Sequence, residues 1–284
     1  MSMMAMEIMK TAGGGLKIYP DGPEWDGKAS CTFGNISFKT RYDGAALLRD
    51  AIDRIRGLGR DRVLAPMEGD TWHSYRLVSD SDGSAPFMLE PTSKAHDRQA
   101  FLDAGFAPIS RYFSTRLDLN EWGPLTPSAT DAFRIQTWDG TDAESLFGKV
   151  YQVSTKAFAG NKFYKHISED DFLAMYMPLV DLIKREFVLF ARRPDGDLAG
   201  FLFAIPNYAE GPMPKTVIVK TYASLLRGAG RHLLYSCHAS ARAMGYQMAI
   251  HALMHETNES AERSARDGAK VFRRYELLGL RLDG

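Results

Sequence analysis

A chain of 284 residues, 45% hydrophobic and 25% charged, has the make-up of a soluble globular protein with room for two domains. Its 35 basic and 35 acidic side chains give a formal net charge of zero, which removes the electrostatic ground for nucleic-acid binding. Cys31 and Cys237, the only cysteines, form neither a zinc-type spacing nor a disulfide framework, and no apolar run approaches the roughly 20 residues of a membrane-spanning helix. A cytoplasmic protein with no metal ligands and no membrane association is expected. The Met-rich start, Met1 to Met9, carries Glu7 and makes a poor signal peptide.

In chain order, Gly13, Gly14 and Gly15 mark a flexible entry, and Lys28 to Lys39 has the residues and rough alternation of a strand. Asp43 to Leu58 reads as a helix. Ala46, Leu47, Ala51, Ile52 and Ile55 share one face, and Gly57 and Gly59 stop it. Val63 to Met67 is a short buried strand and Trp72 to Val78 another. The stretch from Asn120 to Asp131 holds Gly123, Pro124 and Pro127 without periodicity, so a linker is placed at 121–131, between domains 1–120 and 132–284. Beyond it, strands are expected at Phe133–Trp138, Phe187–Arg192, Leu198–Ile205, Thr216–Tyr222, Met248–Met254 and Lys270–Leu282. Asp195-Gly196 marks a hairpin. Helices are expected at Asp142–Phe158, Ser168–Ile183 with a break at Pro178, Gly230–Met244 and Glu259–Arg266. This order describes a mixed α/β (α+β) domain with one central crossover.

A repeat runs through the chain. At a constant offset Arg41 falls on Arg227, Gly44 on Gly230, Leu47 and Leu48 on Leu233 and Leu234, Arg56 on Arg242, Gly59 on Gly245, and Thr71 on Thr257. Gly105–Tyr112 echoes Gly268–Tyr275 in the same way. Internal repetition argues for two related units, the first of which has only about the second half of the elements of the second.

Each repeat opens on an Arg-x-x-Gly turn. In the second, a strand leads into Arg227-Gly228-Ala229-Gly230-Arg231 and then a helix. Glycines let the backbone turn tightly, and turn amides with a helix N-terminus receive anions, so the pattern suits a pyrophosphate. The motif alone is weak, since many strand–Gly–helix turns bind nothing.

From Phe133 to Leu282 the chain resembles the GNAT superfamily of acyl-CoA N-acyltransferases, whose hallmark after the fourth strand is Arg/Gln-x-x-Gly-x-Gly/Ala. The second copy reads Arg227-x-x-Gly230-x-His232 and departs at its last position. The first, Arg41-x-x-Gly44-x-Ala46, matches in full. The whole chain thus resembles two GNAT-like units, the N-terminal one truncated and the C-terminal one complete. The resemblance implies acetyl-CoA or another acyl-CoA, with its pantetheine between the strands at Thr216–Tyr222 and Met248–Met254. Thr221, Tyr222, Arg227, Gly228, Ala229, Gly230, Arg231, His232 and Asn258 would be its contacts, and Arg41, Gly44 and Ala46 the alternative set. The second unit is favoured because it has the complete scaffold.

Asn258 either contacts the pantetheine arm, by family position, or caps the next helix. The helix tyrosine that usually protonates the thiolate in this family is replaced by Phe101 in the first copy and Ser264 in the second. Tyr275 and Ser264 are therefore candidates for the acid, with a core tyrosine as the other reading of Tyr275. His255 and Glu256 are candidates for the base. Strict alternation puts His251 and His255 on one face and Glu256 on the other, and a base acting through water is the alternative. Glu68 to Arg76 (EGDTWHSYR) reads either as a functional loop or as packing between the domains. The expected acceptor is an amine, a small molecule ahead of a protein, bordered by family position by Phe158–His166 and the helix at 168–183. A non-catalytic CoA-binding or scaffold protein is the competing reading. A nucleotide-binding protein is a third, although the chain lacks Walker-type and dinucleotide fingerprints.

Overall fold

The computed structural model describes residues 6–123, 127, 128 and 130–283, so part of the expected linker lies outside it. The first half comprises β1 (Glu7–Thr11), β2 (Gly14–Tyr19), the short ribbon β3 (Glu24–Trp25) and β4 (Lys28–Ala29), β5 (Cys31–Phe38), α1 (Arg41–Gly57), β6 (Arg62–Ala65), β7 (Leu77–Ser81), α2 (Asp97–Asp103) and β8 (Ala107–Asp118). The second comprises β9 (Arg134–Thr137), α3 (Ala143–Phe158), α4 (Glu169–Tyr176), β10 (Val188–Arg192), β11 (Leu198–Pro206), β12 (Thr216–Ser224), α5 (Ala229–Ala243), β13 (Met248–His255), α6 (Glu259–Arg266) and β14 (Lys270–Arg281).

Local chemistry accounts for most element ends. Ser168 caps α4 by accepting from the Asp171 amide, and Pro178, which has no N–H to continue an α-helix, turns the chain into a 3₁₀ segment at Met177–Leu182. Two expectations shift. Leu77–Ser81, not Trp72–Val78, is the strand, because residues 67–76 form a turn closed by a Met67–Tyr75 bridge. In α1, Ala45 takes the buried place expected for Ala46, which is exposed.

Twelve strands form one mixed sheet in the order β1-β2-β5-β6-β14-β8-β13-β12-β11-β10-β9, with β7 paired to β14. The two halves exchange strands. β14, the last of the chain, pairs with β6 and β8, and β8, from before the linker, pairs with β13. Leu278 of β14 is accordingly buried in the core that α1 and α2 form on the first half of the sheet. In the second half, α3 and α4 cover one face and α5 the other. Leu233 and Leu234 anchor α5, each stabilising by about 1.5–3 kcal/mol through burial.

Candidate active site

β12 and β13 are hydrogen-bonded as parallel strands over four pairs, Thr216 with Met248 to Val219 with His251, and then diverge. Each strand carries an extra residue just past that point. Opposite β11, Lys220 is inserted between Val219 and Thr221. Opposite β8, the stretch from His251 to Met254 is one residue longer than its partner, and Leu253 adopts φ of 59°. Bulges bend the strands that hold them, and here they open a V at the strand ends. The repeat produces a similar start in the first half, where β5 and β6 pair in parallel at only Cys31–Val63 and Thr32–Leu64. That opening is filled by its own chain. The Met67 amide donates to Phe33 O at 2.7 Å, the Gly69 amide donates to Thr32 Oγ1, and a Cβ on Gly34 would lie 2.6 Å from Met67 O.

The turns differ in the same sense. After β12, the Ser224 hydroxyl folds the chain by donating to Leu226 O and accepting from the Leu226 amide. Gly228, at φ of 86°, then takes a left-handed conformation that other residues adopt at a cost. Among the described residues, the amides of Arg227, Gly228 and Gly230 have no protein acceptor. Arg227 is exposed beside them. Arg263, from α6, also arrives here. Its Nη1 lies 3.4 Å from Tyr222 Oη and would be 2.9 Å from a Cβ on Gly230, while its Nη2 donates to Glu259 at 2.5 Å. His232 turns its ring edge-on to Phe133 at 5.1 Å. Burial, reinforced by Arg231, lowers its pKa.

The first turn satisfies itself. Thr40 Oγ1 accepts from the Asp43 amide at 3.1 Å, the Gly44 amide donates to Thr40 O, and the Asp43 carboxylate occupies the first turn of α1. Arg41 makes a two-bond contact with Asp103. A Cβ on Gly44 would meet the Phe38 ring at 2.6 Å, so the glycine is needed for packing, independently of any ligand.

The extra residue in β13 overturns the expected facing of its histidines. His251 pairs opposite Thr115 and Met254 opposite Phe113, so those two share a face, and His255, opposite Tyr112, takes the other. His251 is buried. Its Nδ1 is 2.8 Å from Ser264 Oγ and its Nε2 3.0 Å from His238 Nε2, and Ser264 Oγ is 2.7 Å from Thr115 Oγ1. Ser264 is thus fully enclosed in a polar chain behind the sheet. Tyr275 is also fully buried, bonded to Ser114 Oγ at 3.1 Å and donating to Glu90. Burial and the adjacent Glu90 push its pKa far up.

His255 is half-buried at the mouth of the V. Its Nε2 is 2.9 Å from Ser110 Oγ, and its Nδ1 accepts from the Thr257 amide, which places the ring proton on Nε2. Burial lowers its pKa; Lys162 and Arg76 act in the same direction and Glu256 against it. Glu256 is exposed. Asn258 stands at the N-cap of α6 without making the capping bond, leaving its side chain available. Thr221 shares a face with Phe203, toward α3 and α4, whereas Tyr222 lies on the α5 side.

No family model matches the sequence, and no curated protein matches it. Solved structures do match in shape. A GCN5-related N-acetyltransferase from Sphaerobacter thermophilus superposes with a TM-score of 0.57 at 14% identity, over 95% of this chain and 81% of that one. A tandem GNAT protein from the clavulanic acid biosynthesis pathway gives 0.56 at 14%, over 98% and 83%. A probable N-acyltransferase from Enterococcus faecalis gives 0.58 at 8%, over 95% and 59%. The chain has the GNAT fold.

β12, the turn at 224–230 and β13 form where the sequence pattern expects a strand, a turn and a strand. Two cations that pattern did not mark also border the opening. Arg263 is brought to the turn only by the packing of α6, and its spacing carries no signal. Lys220 is distinguished only as the inserted residue, which requires knowing the register with β11. Glu68 to Arg76 packs between the halves. Trp72 Nε1 donates to Lys165 O, and its ring meets Phe158, Tyr164 and Phe172 edge-on. Two open surface depressions, of about 490 and 250 Å³, lie along α3 and α4 and beside residues 208–215. Among the described residues no cluster of His, Cys, Asp or Glu is placed to hold a metal ion, and no helix is long and apolar enough to cross a membrane.

Proposed function

We propose that this chain is an acyl-CoA-dependent N-acyltransferase that moves an acyl group, acetyl as the first expectation, onto the amine of a small molecule. The chemistry is assigned to the V between β12 and β13. One observation carries this reading: the strands separate after four pairs, above a glycine turn whose amides at Arg227, Gly228 and Gly230 find no acceptor among the described residues. Amides aimed outward at a helix start are suited to a diphosphate. Arg227 and Arg263 add positive charge there, and Asn258 is placed for the pantetheine arm. The self-capped turn at Arg41, Gly44 and Ala46, with Asp43 beside it, is assigned no cofactor.

Acyl-CoA, when bound, supplies the activated thioester. His255 is the base assigned to draw a proton from the acceptor amine, since burial favours its neutral imidazole and its Nδ1, 2.8 Å from Thr257 Oγ1, can take a proton relayed through that hydroxyl. The enclosed positions of Tyr275 and Ser264 assign them to structure. Two unpaired, buried cysteines suit a reducing cytoplasm.

The same two burials favour a second reading, a CoA-binding protein without transferase activity. Acetyl-CoA consumption over a panel of primary amines separates the two. Turnover that is lost in His255→Gln while CoA still binds supports the transferase, whereas CoA binding without turnover on any amine supports the second reading.

A further inference from the structure

Arg76 is a buried guanidinium without a carboxylate partner among the described residues. It is 7% exposed and sits at φ of 73° in the turn that follows the Glu68 loop. Its charge is sandwiched between the rings of Tyr75 and Tyr112, 3.7 and 4.1 Å from their centres. Nη1 donates to Leu253 O at 2.9 Å, and Nε, also buried, has no acceptor. Leu253 is in the bulge of β13 that opens the V. Across the opening, Lys220 is the inserted residue of β12, and its ammonium donates to Leu89 O at 3.2 Å. Arg76 is close enough for its charge to add to the effect of burial on Lys220, whose pKa falls to about 8. Tyr112, which stacks on Arg76, also meets the His255 ring edge-on at 5.0 Å. Glu90, the carboxylate whose charge reaches Lys220, is already engaged by Tyr275 and by Arg273 at 3.4 Å. Among the described residues neither Arg76 nor Lys220 forms an ion pair. An uncompensated buried cation is expensive, and Arg76, with the half-buried Lys220 across the same opening, calls for an anion that the described residues do not supply.

We infer that the acceptor is an amine that also carries a carboxylate, held by Arg76 from the first half of the chain and Lys220 from the second, with its amino group toward His255. The inference rests on the acyltransferase reading and adds to it a substrate class and a role for the first half, which supplies one wall of the acceptor site. The amine then has one end fixed by charge, and only the other reaches the base, which is how a bound carboxylate selects among amines.

The test uses matched pairs, each an amino acid and the amine left when its carboxylate is removed, titrated by calorimetry into the full-length protein with saturating CoA. CoA binding itself is measured first, so failure of the cofactor reading is seen separately. At least one acid is expected to bind about tenfold or more tightly than its amine, and Lys220→Met to remove most of that preference with CoA affinity unchanged. Arg76→Lys, which keeps the charge but loses the fork, is expected to reduce it partially. The inference is overturned if no acid is preferred, including when neither member binds. A preference that survives Lys220→Met also overturns it, as does a Lys220→Met protein that loses CoA affinity instead.

Discussion

Acidification should loosen this protein through one buried pair. His238 and His251 face each other through their Nε2 atoms at 3.0 Å, so the bond between them needs one ring to donate and the other to accept. Burial depresses both pKa values, that of His251 to about 4, and the charge of His251 lowers that of His238 further. In the unfolded chain both rings titrate near 6.5. The sign follows directly. Between pH 6.5 and 4 the unfolded state binds the proton and the folded state refuses it, so stability is complete above 6.5 and declines as pH falls toward 4. For His251 alone the loss is about 2.5 kcal/mol at pH 4.5 and roughly 3 kcal/mol when complete. Urea denaturation at pH 7.0 and 4.5 reads the loss, and histidine-selective NMR of the folded protein assigns it. Both rings are expected to remain largely neutral at pH 5. A folded protein in which His251 titrates near 6.5 would refute the reasoning and reopen the Ser264–His251 chain as a functional group rather than part of the core.

Tyr275→Phe deprives Ser114 and Glu90 of a buried partner and should cost about 1–3 kcal/mol in urea denaturation while acetyl transfer survives. Loss of transfer in a protein of unchanged fold would instead make the phenol the acid. Arg263→Ala should weaken CoA binding about tenfold or more by calorimetry, because it removes a charged donor beside Gly230, and wild-type affinity would take Arg263 out of the site. Gly44→Ala drives a methyl into Phe38 and Ala100 and should lower stability by about 1–3 kcal/mol, seen as a reduced Tm, with CoA affinity intact. A folded Gly44→Ala protein with impaired CoA binding would show that the first turn is the cofactor site.

Where the sequence spoke through local rules, it was legible. The start of α4 at Ser168, the break at Pro178 and the Asp195-Gly196 hairpin depend on a cap, a missing amide and a turn glycine, all readable over a few residues. The repeat located the strand–turn–helix of β12 and α5. What escaped depended on contacts between distant segments. The exchange of β8 and β14 is a choice of partner, and either strand would satisfy the alternation of the other's place. One extra residue near Leu253 reverses the facing of His255, and nothing in the period-two pattern announces it. The two turns look equivalent as Arg-x-x-Gly, yet Thr40 and Asp43 close one and leave no counterpart at Leu226 and Ala229 in the other. Arg76 was visible as part of a dense polar stretch, but its place between two tyrosines at a bulge of the other half was not.

The most direct test of the account is a crystal structure of the protein with acetyl-CoA. It should place the diphosphate on the amides of Arg227, Gly228 and Gly230, near Arg263, with the pantetheine arm between β12 and β13. Density at the start of α1 beside Arg41, or crystals that take up no coenzyme at concentrations that saturate the protein in solution, would contradict it.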